Sequence, residues 1–156
     1  MDPRVETSPA GLQQQFDLAM KIAAWMHQDY TALQQVRALR SQLKTLRARA
    51  QGTLANAIDA LDEKAAALEG GGARASARRS GSDDHNLVQL NGELATVFNV
   101  IEGPDSAPTT QVVANSGDLD RAIQAQLSRW QELKSRDVAA LNVQLRQANL
   151  PAVALD

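Results

Sequence analysis

Apolar residues recur at steps of three and four positions over a long stretch near the start of the chain. The row consists of Leu12, Phe16, Ala19, Ala23, Met26, Tyr30, Leu33, Val36, Leu39, Leu43 and Leu46. No glycine or proline lies inside the row, so the spacing predicts a single long amphipathic helix. At about 1.5 Å per residue this helix spans roughly 50 Å. Other helices must lie along it to cover the apolar row.

Local capping signals place the ends of this helix. Thr7 and Ser8 offer N-cap hydroxyls, and Pro9 follows at the first helical position, where its missing N–H would have no partner anyway. We predict an extended segment over 1–8 and helix one over 9–50. Gln51 and Gly52 supply the stop.

The same spacing predicts three further helices, over 53–69, 84–101 and 107–149. Ser106-Ala107-Pro108 repeats the capping pattern that begins helix one. Ser135-Arg136-Asp137 marks either a bend near residue 137 or the start of a short fifth helix. The apolar positions of the three helices are Leu54, Ile58, Leu61, Ala65 and Leu68; Leu87, Leu90, Leu94, Val97 and Ile101; and Val112, Val113, Leu119, Ile123, Leu127, Trp130, Leu133, Val138, Leu141, Leu145 and Ala148.

The connections between these helices predict the fold class. Glycines, serines and arginines without a large apolar side chain fill 70–83, so we predict a flexible linker there. Short connections elsewhere make helices one and two, and helices three and four, antiparallel hairpins. The sequence therefore predicts an all-α, elongated antiparallel up-down four-helix bundle over 9–150. Helix four is expected beside helix one, with the shorter helices two and three covering the other side.

Composition narrows the class of protein. Only five of the 156 residues are aromatic and none is cysteine, which favours closely packed helices over sheets and excludes disulfides and thiolate metal sites. The formal net charge of −2 gives no global attraction to nucleic acid or anionic lipid. We expect no membrane span, because no window contains roughly 20 apolar residues. The first residues lack the apolar core of a signal peptide.

Charged residues are arranged in a row along the second half of helix one. We expect this basic row to form exposed ion pairs with acidic residues of helix two, each worth roughly 0 to 1 kcal/mol. A phosphate-binding strip extended by Arg74, Arg78 and Arg79 is the alternative, but it would need unpaired charges and stacking aromatics. We therefore expect no nucleic-acid partner. The basic residues are Arg37, Arg40, Lys44 and Arg47, and the acidic ones are Asp59, Asp62 and Glu63.

The two histidines are the only candidate metal or acid–base residues with acidic neighbours. His27 with Asp29 is typical of a solvated helix face. His85 follows Asp83 and Asp84, which is either a partial metal cluster or an acidic first turn at a helix start. We favour the helix start, since metal sites need three or four converging ligands.

No other motif indicates catalysis. The phosphate-binding loop, the serine elbow and the zinc-protease helix are missing from the sequence. Trp25 and Trp130 are expected to fill wide layers of the bundle or to contact a neighbouring domain; a sugar-stacking platform is the alternative. We predict no catalytic, cofactor-binding or metal residues, and therefore no enzyme in this chain alone.

Several strings of residues together resemble a known family. They are Met1-Asp2-Pro3-Arg4-Val5 with Thr7-Ser8 and Leu12-Gln13-Gln14-Gln15-Phe16; Ile101-Glu102-Gly103-Pro104-Asp105-Ser106-Ala107-Pro108-Thr109; and Arg129-Trp130-Gln131-Glu132-Leu133 with Leu141-Asn142-Val143-Gln144-Leu145 and Leu150-Pro151. The combination resembles the C-terminal helical region of large bacterial proteins that carry sialidase-like BNR-repeat propellers. Those proteins are often labelled sortilin-like or glycosyl-hydrolase-like.

The resemblance implies a role without supplying catalytic residues, because the propeller repeats are absent from this chain. In such proteins the Met-Asp-Pro-Arg string is internal and follows a β-sandwich module, with the propeller upstream. The resemblance therefore implies a detached helical accessory or interaction domain of an exported parent, whose partner is the upstream propeller or β-sandwich. The alternative is an independent coiled-coil-like adaptor or chaperone that forms homo-oligomers through the long apolar row. A third possibility is part of a glycosyl hydrolase whose catalytic propeller lies elsewhere.

Overall fold

The computed structural model describes residues 8–71, 85–103 and 106–155, and its regular elements are all helical. The predicted all-α bundle is confirmed. The predicted linker 70–83 lies outside the described residues except for Gly70 and Gly71. The elements are α1 (Pro9–Arg47), α2 (Gly52–Glu69), α3 (Leu87–Glu102), α4 (Thr110–Glu132), a π-helical segment (Leu133–Val138) and α5 (Ala139–Gln147).

Side-chain caps fix where three of the helices begin. Ser8 Oγ accepts a hydrogen bond from the Gly11 N–H at 3.1 Å, so α1 begins at Pro9 as predicted. The starts predicted for the third and fourth helices were wrong by three residues. Asn86 and Thr109 are the N-caps there, because their side chains satisfy free N–H groups of the first turn.

The α1–α2 hairpin covers the second half of α1. Three of the ion pairs that join the two helices show their relative direction, because the residue numbers of the acidic partners on α2 fall as those of the arginines on α1 rise. The two helices are therefore antiparallel, as predicted. The pairs are Arg37–Glu69, Arg40–Asp62 and Arg47–Asp59, with N–O distances of 2.8, 2.9 and 2.7 Å.

The next helix, α3, covers the first half of α1. Asn91 Nδ2 donates to Asp29 Oδ2 at 3.0 Å, and Gln15 Nε2 donates to the Ile101 carbonyl at 2.6 Å. These contacts make α3 antiparallel to α1, so α2 and α3 run in the same direction. They lie end to end, since a Cβ at Gly70 would be 2.5 Å from Oδ1 of Asn86.

This end-to-end arrangement corrects the up-down-up-down order. The remaining helices return in the direction of α1: Trp130 Nε1 donates to Gln35 Oε1 at 3.0 Å, and the segment after α5 reaches Gln42. The bundle thus has three columns: the first is α1, the second is α2 followed by α3, and the third is α4, the π-helical segment and α5. The expectation that helix four lies beside helix one, with helices two and three covering the other side, agrees with these contacts.

The core of α1 follows a seven-residue repeat. Ile22, Asp29, Val36 and Leu43 are all buried, which is the spacing of a left-handed supercoil. The predicted core row drifted off this repeat at several positions, because steps of three and four alone do not choose between adjacent residues. On α1, Phe16 and Tyr30 are 60% and 56% exposed. In the predicted fourth helix, Val113 is 52% exposed and Ala148 is also exposed.

The predicted interruption near Asp137 is a π-helical segment. Its flanking residues, Glu132 and Ala139, keep right-handed helical backbone angles, so α5 continues without a new N-cap. Leu133 and Val138 are both buried although five positions separate them. The wider π-helical turn absorbs the extra residue and keeps both side chains in the core.

We predict that the second column does not require residues 72–84. The described part of this column ends at Gly71 and resumes at His85, and Gly70 contacts Asn86. Because closing a short loop costs no more entropy than closing a long one, deletion of 72–84 should change the free energy of unfolding by less than about 1 kcal/mol. Urea denaturation followed by circular dichroism measures this change. Loss of cooperative unfolding in the deletion variant would contradict the end-to-end arrangement.

Candidate functional site

An uncharged row of large side chains lies on the outside of α1. Phe16, Met20 and Tyr30 are 60%, 55% and 56% exposed, and His27 is also exposed. At 100° per residue, these four positions fall within an arc of about 80° and extend roughly 20 Å along the helix. We call Phe16, Met20, His27 and Tyr30 the outer row. Such residue types are enriched at protein interfaces.

A carboxyl group lies inside the bundle beneath this part of α1. Asp29 is fully buried. Its Oδ2 accepts a hydrogen bond from Asn91, while Oδ1 is buried and has no hydrogen-bond partner among the described residues. The expectation that His27 and Asp29 share a solvated face is therefore wrong for Asp29. The signal that would have placed it is the seven-residue spacing from Ile22 and to Val36.

Burial raises the pKa of Asp29 to about 6, although the hydrogen bond from Asn91 acts to lower it. Asn91 is uncharged, so it offsets only part of the desolvation of the carboxylate. A single polar pair at a core position can fix the register of packed helices at a cost in stability. Asp29 and Asn91 sit where α3 must align with the first half of α1. We therefore interpret the hydrogen bond between Asn91 and Asp29 as one that fixes the position of α3 along α1.

We predict that Asp29→Asn stabilises the protein in a pH-dependent way. An unfolded aspartate has a pKa near 3.9, so folded Asp29, with a pKa of about 6, holds more protons between these values. The free energy of unfolding of the wild type therefore falls as pH rises from about 4 to about 6. The variant should be more stable by about 2 kcal/mol at pH 7.5 and by much less at pH 4. Urea titrations at both pH values measure the difference.

Asp17→Asn is the matched control, because Asp17 is exposed on the same helix. It should change stability by less than about 0.5 kcal/mol at either pH. Equal effects of the two substitutions at both pH values would show that Asp29 is hydrated rather than buried.

His85 does not assemble a metal site within the described residues. Its Nε2 lies 3.4 Å from Glu93 Oε2. Asp83 and Asp84, the other members of the predicted cluster, lie outside the described residues. Within the described ranges, no group of three or more histidine or carboxylate side chains could hold a metal ion.

The two tryptophans have different environments. Trp130 is 2% exposed; its Nε1 donates to Gln35, and the Lys134 ammonium lies 5.2 Å from the ring centre. Trp25 is partly buried and packs against the core. The prediction that Trp130 fills a wide layer of the bundle is confirmed. A sugar-stacking platform requires both rings to be exposed, and neither Trp25 nor Trp130 is.

Arg37, Arg40 and Arg47 of the basic row are paired with acidic residues of α2, as predicted, with Glu69 in the place expected for Glu63. Lys44 makes no such pair among the described residues. Arg40 contacts both Asp62 and Glu69, and the hydrogen bond with Asp62 is the largest cause of its raised pKa. Partial burial acts to raise the pKa of Glu69, but hydrogen bonds from Arg37 and Arg40 outweigh it and lower the pKa. These guanidinium groups therefore face carboxylates rather than a free anion site.

The surface of α4 carries a shallow depression of about 490 Å³, open to solvent along most of its extent. It lies between Gln124 and Ser135, and Glu132 is its one ionisable lining residue. A lone carboxylate provides no acid–base pair.

No helix among the described residues is long and apolar enough to cross a bilayer.

Comparisons of the chain with protein-family models, with curated proteins and with solved structures find no match. The resemblance to the C-terminal regions of sialidase-like propeller proteins therefore stays a prediction.

Proposed function

We propose that this chain is a non-catalytic helical interaction domain whose contact surface is the outer row of α1. The observation that carries the proposal is the exposure of Phe16, Met20 and Tyr30 on one face, each more than half accessible. A monomeric helix face gains nothing from three such side chains in water. A partner that covers them gains apolar burial without disturbing the core.

The position of the outer row favours a partner that lies at the N-terminal end of α1. Phe16 and Met20 are in the first four turns of the helix. If the resemblance to propeller proteins holds, an upstream propeller or β-sandwich would precede this end of the chain. We propose that domain as the partner, and an exported parent protein as its context.

Self-association through the long apolar row is the weaker alternative. Val36, Leu39 and Leu43 of that row are fully buried by the chain's own helices, so they offer no surface to a second copy. A glycosyl hydrolase would need a catalytic propeller on another segment. Catalysis by this chain is outside our proposal.

We predict that the triple variant Phe16→Gln, Met20→Gln, Tyr30→Gln folds normally but loses its partner. Substitution of exposed side chains should change the free energy of unfolding by about 0.5 kcal/mol or less per site. The partner to titrate is the polypeptide encoded immediately upstream of residue 1, added to the separate chain in isothermal calorimetry. We expect binding that the triple variant weakens at least tenfold.

A matched control uses exposed valines on two other helices. Val88, Val100 and Val113 are 46%, 53% and 52% exposed, and their replacement by glutamine should leave binding unchanged. Equal losses for both triple variants would contradict the assignment of the surface. An upstream frame that encodes no propeller or β-sandwich, or such a domain that does not bind, would contradict the proposed partner.

A further inference from the structure

The non-helical segment after α5 is held by two carboxamide side chains from different helices. Asn142 of α5 binds both main-chain groups of Val153: its Nδ2 donates to the carbonyl at 3.0 Å, and its Oδ1 accepts from the N–H at 2.7 Å. Gln42 of α1 does the same for Ala154, with distances of 2.7 and 3.1 Å. We call Gln42 and Asn142 the carboxamide clamp.

These four hydrogen bonds define the conformation that the clamp selects. The N–H and C=O of one residue point the same way in an extended chain, and consecutive residues point to opposite sides. The main-chain N–H and C=O of Val153 face Asn142 in the third column, and those of Ala154 face Gln42 in α1. The clamp therefore binds extended main chain from both sides, as two neighbouring strands would. A carboxamide has the same donor and acceptor as a peptide unit, which suits it to this task.

Side-chain selection at the clamp comes mainly from one position, because Leu150 and Leu155 pack against the core only in part. Val153 is 6% exposed and belongs to the hydrophobic core, whereas Ala152 and Ala154 on either side are exposed. The combination of main-chain hydrogen bonds with a pocket for one side chain is a recurring mode of peptide recognition. The arrangement selects an aliphatic residue in the pocket and accepts varied neighbours.

We propose that the carboxamide clamp and the Val153 pocket form a binding site for extended peptides with an aliphatic residue, and that the chain's own segment 150–155 occupies it as an intramolecular ligand. This site is independent of the outer row and goes beyond the interaction proposed for it.

The local backbone makes the bound segment a separate unit from the helices. Asn149 adopts the left-handed conformation, with φ of 55°, and ends the helix; the Leu150 N–H donates to the Leu145 carbonyl at 2.9 Å. Beyond this turn, Val153 is the most deeply buried residue in the described part of the segment. A tethered ligand of this kind has an effective concentration on the order of millimolar. A free peptide therefore competes poorly until the tethered segment is displaced.

The test displaces the tethered segment with Val153→Asp in the full chain and adds a fluorescein-labelled peptide of sequence Leu-Pro-Ala-Val-Ala-Leu. Fluorescence anisotropy should show binding at least tenfold tighter to the Val153→Asp chain than to the wild type. The same peptide with aspartate in place of valine should not bind. Adding Gln42→Ala or Asn142→Ala to the Val153→Asp chain should weaken binding at least tenfold, because each removes two main-chain hydrogen bonds.

Two results would overturn the proposal: no tighter binding to a folded Val153→Asp chain, or binding that neither clamp substitution weakens. The outer-row triple variant, combined with Val153→Asp, should bind the peptide normally, which separates this site from the proposed interaction surface. If circular dichroism shows that Val153→Asp unfolds, hydrogen exchange in otherwise wild-type chains decides. Asn142→Ala should then speed exchange of the Val153 amide at least tenfold and Gln42→Ala that of Ala154; unchanged exchange in both would refute the clamp.

Discussion

The apolar seam of α1 is the constraint on which the rest of the bundle depends. A 39-residue helix buries core side chains from Ala19 to Leu46, and every turn of that seam needs a covering layer. The chain supplies two layers. One is α4 continued through the π-helical segment into α5, and the other is α2 and α3 placed end to end. Neither α2 nor α3 is long enough to cover α1 alone, so their junction at Gly70 and Asn86 completes the column.

Polar contacts between the helices align them with one another. Asp29 and Asn91 hold α3 against the first half of α1, and the ion pairs of Arg37, Arg40 and Arg47 hold α2 against the second half. Each contact joins particular positions on two helices, so together they specify direction and register where leucine and alanine packing is permissive. The two proposed binding surfaces, the outer row and the carboxamide clamp, use none of these residues.

Much of this fold follows from local sequence signals. The Ser8-Pro9 start, the buried row Leu87 to Ile101 and the Arg40–Asp62 pairing were predictable, because each depends on short-range spacing or charge. The end-to-end placement of α2 and α3 was not, since the short connection after α1 places α2 on the second half of α1 but does not say where along α1 the next helix lies. Tyr30 was expected in the core and Asp29 at the surface, because Tyr30 is the more apolar side chain. The seven-residue repeat, which places Asp29 in the core, was the better guide. Gln42 and Asn142 gave no signal, since their partners are main-chain groups whose position only the fold determines.

The distance between two spin labels, measured by pulsed electron–electron double resonance, tests the three-column arrangement most directly. The absence of cysteine from the chain makes specific spin labelling possible. Thr53 near the start of α2 and Val100 near the end of α3 are both exposed, so each can be replaced by a labelled cysteine. With the two helices end to end, the labels should be roughly 50 Å apart at about 1.5 Å per helical residue. A side-by-side antiparallel pair would bring them within roughly 20 Å, given helix spacings of about 10 Å, and that result would contradict the account.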